Sequence, residues 1–216
     1  MTNEVVPHCW LTETDCMVFV DDMILQNHYK FEVGFDTCSA NITLHDIAFE
    51  KIEMFFDILL SNSIIITKND FESKKFNFKN NYIELPSMLN DQTLGCLIYS
   101  KLIALVGEDL DINYLKITSS LGKNIRYHID MDSPEIHSLM PTKAEWWDSD
   151  DIKFNPWWLR DDPATYDQLL SDEDLYKGEF SWEDHFGEEL EMVKNSDIKN
   201  KFQIIKGGKD AVKPNE

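Results

Sequence analysis

The amino-acid sequence predicts an α+β domain: two amphipathic helices packed on a mostly antiparallel sheet, followed by an irregular, acidic, tryptophan-rich C-terminal segment. Three observations carry this prediction. A helical apolar pattern after residue 43 runs into three consecutive isoleucines at 64–66. A second helical stripe begins near Leu94, and short alternating runs lie before the first helix and after the second.

Residues 1–42 read as strand-rich. Met17, Val18, Phe19 and Val20 form an apolar run, Asp21 and Asp22 read as a turn, and residues 29–35 (YKFEVGF) alternate sides. In the first helix, Thr43 with Asp46 three residues on reads as a capping box. Ala48, Ile52, Phe55, Phe56 and Leu59 recur at helical spacing, with Glu50, Lys51, Glu53 and Asp57 mostly on the other side. Ser61, Asn62 and Ser63 end it, because short polar side chains compete for the backbone. The isoleucines that follow suit a strand covered on both faces.

Residues 69–79 (NDFESKKFNFK) read as an exposed loop or hairpin edge, and residues 82–85 as a short strand closed by Pro86. The second helix is capped by Asn90 or Asp91, carries Leu94, Leu97, Ile98, Leu102 and Leu105 on one stripe, and stops at Gly107. Residues 110–119 and 125–129, joined by a turn at 121–124, alternate as a hairpin with Ile112, Leu115 and Ile117 directed at the core. This defines a core domain over residues 1–140. Composition shifts at Pro141: residues 141–190 hold fifteen acids against four bases, yet five of the six tryptophans. Residues 191–216 turn basic and read as a flexible tail.

Charge narrows the function classes. Forty acids against twenty bases give −20, a field that repels nucleic-acid phosphate and anionic membranes and attracts basic protein surfaces. No apolar run approaches the roughly 20 residues that span a bilayer, and the first ten residues lack a signal-peptide pattern. A soluble, cytoplasmic protein with no direct nucleic-acid or membrane partner is expected. Cys9, Cys16, Cys38 and Cys96 are scattered, without the close pairs of a zinc site, and read as reduced thiols. Nucleophile-elbow, P-loop, dinucleotide and zinc-protease motifs are absent, so neither a cofactor nor an enzymatic activity is expected.

Two constellations remain. Trp146, Trp147, Trp157, Trp158 and Trp182 are interleaved with Asp150, Asp151, Asp161 and Asp162, and aromatic anchors rimmed by carboxylates suit docking on a basic protein surface. The competing reading is that these rings cover their own domain. His128, Asp130 and Asp132 share one face of a strand, with His137 close by, as weak candidate metal ligands against a bland reading as a strand ending in a polar loop.

Residues 47–130 resemble small accessory proteins, without an assigned activity, of large tailed bacteriophages. The marks are Ala48-Phe49-Glu50, Tyr99-Ser100-Lys101-Leu102 and Ser119-Ser120-Leu121-Gly122. The resemblance implies a viral origin and transfers no site residues. Together with the acidic aromatic segment, it leads to the expectation of a non-enzymatic phage protein that binds and modulates or inhibits a host or phage protein. The alternatives are a structural virion or assembly component and a metal-dependent enzyme. The oligomeric state is left open.

Overall fold

The longest element is a hairpin. Strands β1 (Pro7–Val20) and β2 (Met23–Thr37) pair antiparallel from Val20↔Met23 to Pro7↔Asp36. Asp21 and Asp22 both take positive φ, 50° and 60°, the left-handed pair that lets a two-residue turn follow the strand twist. The structure is a computed structural model and describes residues 7–37, 42–70, 81–86, 88–107, 109–139 and 156–167.

Helix α1 (Ile42–Met54) continues as a π-helical segment, Phe55–Leu60. Thr43 therefore lies inside the first turn instead of capping it. The wider π turn also changes which leucine is buried. Regular α spacing from Phe55 and Phe56 selects Leu59, whereas the structure buries Leu60 and leaves Leu59 half-exposed. The chain then enters β3 (Ile64–Thr67), whose three isoleucines are all buried, and later β4 (Tyr82–Leu85).

Helix α2 (Asp91–Val106) leads to β5 (Leu110–Ser119), β6 (Tyr127–Ile129), a short α3 (Pro134–Leu139) and a 3-10 turn, Trp157–Leu159. The six strands form one sheet in the order β4-β3-β1-β2-β5-β6. The α+β class is as expected. Three pairings are antiparallel, and β1–β3 and β3–β4 are parallel.

Helix α2 is buried along most of its length. Its buried residues include Leu94, Leu97, Ile98, Tyr99, Leu102 and Leu105, and extend right round the helix to Cys96, Ser100 and Lys101. Asn90 caps it, its side-chain oxygen accepting from the Thr93 N–H at 2.7 Å, and Gly107 closes it at φ 58°. Gly95 lets the helix lie close on the sheet: a Cβ there would meet Ile129 Cδ1 at 2.3 Å and Ile117 Cγ2 at 2.8 Å. Ile117 is branched at Cβ on a paired strand and cannot turn aside. Gly95→Ala is therefore expected to lose about 1–2 kcal/mol of stability in a urea melt, overpacking exceeding the roughly 1 kcal/mol helix gain. A more stable variant would show that the helix can move off the sheet freely.

The chain divides into two compact units, Met1–Gly178 and Glu179–Glu216, the second outside the described residues. The expected core boundary at residue 140 is too early, because residues 156–167 belong to the first unit and pack on it. The segment expected as a tail, 191–216, and most of 69–79 lie outside the described residues. No described helix is long and apolar enough to cross a membrane.

Candidate functional site

Residues 156–167 wrap the β4 edge of the sheet. The Trp157 indole N–H donates to the Glu84 carbonyl at 2.9 Å, the Glu84 N–H donates to the Thr165 carbonyl at 3.0 Å, and the Thr165 hydroxyl donates to the Tyr82 carbonyl. Exposed strand edges invite further pairing, and here the chain satisfies its own. On the sheet face away from α2, Tyr166 packs with Met17 on a cluster of Phe19, Ile64, Ile66 and Tyr82. The Trp157 N–H is held by the Asp167 carboxylate at 2.8 Å.

Lys101 of α2 anchors this segment from below. Its side chain is fully buried, and Nζ donates to the carbonyls of Trp157 (3.0 Å), Arg160 (2.9 Å) and Asp162, with the Asp162 carboxylate at 3.6 Å. Burial pushes the Lys101 ammonium down to about 8, against the opposing pull of Asp162. Three carbonyls and a carboxylate occupy the ammonium, so it is a structural clamp with no access for a substrate.

This geometry corrects the docking reading of two anchors. Trp157 is 0% and Trp158 6% exposed, packed edge-to-face at 5.9 Å between ring centroids, and neither is available to a partner. Asp162 is turned inward to Lys101 and pairs with Arg160 at 2.9 Å, while Asp161 is exposed. Trp146, Trp147, Asp150, Asp151 and Trp182 lie outside the described residues.

The metal candidates do not converge. His128 lies 3.4 Å from the Asp130 carboxylate, but the other Asp130 oxygen accepts from the Asp132 N–H and the Ser133 hydroxyl, closing a turn. His137 sits on α3, and among the described residues no three His, Cys, Asp or Glu side chains group as a metal site requires. Cys16 and Cys96 are buried thiols pushed up to about 12 by burial, Cys9 is exposed, and Cys38 lies outside the described residues.

The open face of the sheet carries a charged constellation that sequence reasoning missed. Thr14, Cys16 and Val18 of β1 and Tyr29, Phe31 and Val33 of β2 are buried on the helix side. The alternate positions point the other way. Lys30 donates to Glu13 at 2.6 Å, and the His28 ring bridges Glu13 (3.2 Å) and Asp15 (2.9 Å). One strand over, Lys116 Nζ (2.6 Å) and the Tyr114 hydroxyl (2.9 Å) both donate to the same Glu32 oxygen. The Lys116 and Tyr114 bonds hold the Glu32 carboxyl below its ordinary range, and the Glu32 bond in turn pushes the Tyr114 hydroxyl up.

Tyr114 lies flat across β2 because residue 34 is glycine. A Cβ at Gly34 would sit 2.2–2.6 Å from three atoms of the ring. The ring stacks on His128 at 5.3 Å and receives Lys116 Nζ at 4.5 Å above its centroid. Beside this group is a shallow depression of about 210 Å³, lined by Leu11, Glu13, Lys30, Glu32, Lys116 and Arg126 among others. Arg126 is exposed at its margin and makes no ion pair with a described residue. The signal for this face was present as alternation, Lys30 and Glu32 in one strand with Tyr114 and Lys116 in another, but pairing those strands required the sheet order.

No family model and no curated protein matches the chain. Among solved structures, the chain is similar to a catalytic-residue mutant of Plasmodium vivax 6-pyruvoyltetrahydropterin synthase, at 13% identity and a TM-score of 0.40, over 59% of this chain and 98% of that one. The expectation of a non-enzymatic phage accessory protein acting through an acidic aromatic surface is corrected. No family model or curated protein ties the chain to phage proteins, and two of the tryptophans that were to anchor that surface, Trp157 and Trp158, are core. The metal-enzyme alternative loses the site it was built on, since His128, Asp130, Asp132 and His137 do not group as a metal site requires among the described residues.

Proposed function

We propose that this protein binds a compact small molecule carrying a carboxylate or phosphate group, seated in the depression on the open sheet face. The observation that supports this most directly is the convergence of Lys30, Lys116 and Arg126 on one depression in a chain of net charge −20. Lys30 and Lys116 already face Glu13 and Glu32, whereas the Arg126 guanidinium has its planar fork of donors available for a carboxylate or phosphate. Glu13 and Glu32 would meet hydroxyl or amine groups on the same ligand, and the Leu11 side chain supplies an apolar margin. The volume suits a ligand below drug size, and the open rim suits micromolar to millimolar affinity.

Titration of the isotope-labelled full chain with pyrophosphate and with citrate tests this reading. Saturable amide shifts are expected in β1, β2 and β5, with Arg126→Ala weakening binding about ten-fold and leaving the thermal melt unchanged. No saturable binding, or binding indifferent to combined Lys30→Ala and Arg126→Ala, would refute it.

A further inference from the structure

The outer edge of β1 is closed at both ends and open in the middle. The two-residue turn makes Val20↔Met23 a hydrogen-bonded pair, so the even-numbered residues of β1 bond to β2. Odd-numbered residues direct both backbone groups to the other side. The contacts with the chain entering β3 confirm the parity: the Met17 N–H donates to Ser63 at 2.8 Å, and the Asp15 carbonyl accepts from Asn62 at 2.8 Å. Beyond Asp15 the pairing with β3 stops, since only Met17 and Val18 are in register with it. At the far end Pro7 has no N–H. Between them, the N–H and C=O groups of Cys9, Leu11 and Glu13 point outward, and among the described residues nothing donates to or accepts from them.

We infer that this window pairs with the same window of a second copy, antiparallel, on a two-fold axis through Leu11. The window runs from Pro7 to Asp15, so its midpoint is residue 11, and a strand using every open group must set Leu11 against Leu11, Cys9 against Glu13 and Glu13 against Cys9. All three positions share one parity, as a two-fold perpendicular to the sheet requires, and each pair exchanges two backbone bonds. The side chains agree with this register. Leu11 is 70% exposed, an isolated apolar group on a charged face, and gains its own twin as a neighbour. Glu13, already paired with Lys30, faces the small Cys9 side chain and not a second Glu13. Shifting the axis by one pair to Glu13 would oppose two carboxylates. The contrast with β4 also favours pairing: the chain covers that edge with residues 156–167, whereas the β1 edge carries neither a lysine nor a bulge to discourage pairing.

The test uses the full-length chain in 150 mM salt, where a −20 self-repulsion is largely screened. Sedimentation is expected to give twice the chain mass. Leu11→Pro removes an N–H that points away from β2, so it should give a monomer whose melt matches that of the dissociated wild type. In a Cys9→Ser background, Leu11→Cys places two thiols across a hydrogen-bonded pair, with Cα atoms about 5.5 Å apart, and should cross-link on mild oxidation. Glu13→Cys in the same background leaves its thiols roughly 13 Å apart and should not. A wild type that stays monomeric at 100 µM, or equal cross-linking at positions 11 and 13, overturns the inference. So does a Leu11→Pro protein that remains dimeric.

Discussion

Replacing Lys101 by methionine is expected to lower the unfolding free energy by about 3–5 kcal/mol. Methionine fills much of the same volume, so the loss isolates the ammonium. Removing it strips the donor from the carbonyls of Trp157, Arg160 and Asp162, and each buried acceptor left unpaired costs roughly 1–3 kcal/mol. Partial relief comes at Trp157, whose carbonyl also accepts from the Arg160 N–H at 3.3 Å, and at Arg160 and Asp162, which reach solvent. The pH dependence has a definite sign. The folded-state value is about 8, below the ordinary lysine range near 10.5, so the unfolded chain holds the proton more tightly between those limits. Wild-type stability relative to the variant should therefore rise with pH through that window, by on the order of 3 kcal/mol, and fall back as pH drops through 8. Urea melts of both proteins at pH 7, 8.5 and 10 measure it. A gap that is small at pH 7 and flat with pH would mean the clamp contributes little.

Ending the chain at residue 140 is expected to give an aggregating product without a cooperative melt. Trp157 and Trp158 each bury on the order of 150–250 Å², or roughly 4–6 kcal/mol of gross transfer free energy apiece. Their loss uncovers α2 and β4, frees the Tyr82 carbonyl and both Glu84 backbone groups, and leaves Lys101 buried without its acceptors. Together these match the 5–15 kcal/mol by which a whole domain is stable. A chain ending at Gly178 retains the segment and should melt cooperatively. Size exclusion and thermal scans of the two truncations decide between them. A soluble, cooperatively melting 1–140 protein would show that residues 156–167 only decorate the fold.

Local signals fixed the elements, because each depends on residues within a turn or two of one another. The Asn90 cap, the Gly107 stop, the Asp21-Asp22 turn, the isoleucine strand and the hairpin of β5 and β6 were all legible on that basis. Even the two halves of β1 and β2 were visible, although each strand proved longer than its apolar run. The π segment was not legible: it depends on how Phe56, with Phe55 packed edge-on against it, settles against Trp10 and Phe31, partners more than twenty residues away.

Tertiary structure alone decided the rest. In the sequence, Lys101 sits among apolar neighbours like any snorkelling lysine, and its role appears only when carbonyls 56 to 61 residues later close over it. The aspartates around the tryptophans look like a partner-facing rim, because composition cannot say whether a ring and its carboxylates turn outward or in. Likewise Gly34 reads as a weak point in a strand until Tyr114, 80 residues further along the chain, lies across it from the neighbouring strand. Periodicity reports which face of an element is apolar. Which distant surface covers that face, and which charges are thereby brought side by side, is set by chain connectivity and packing, and those terms are not local.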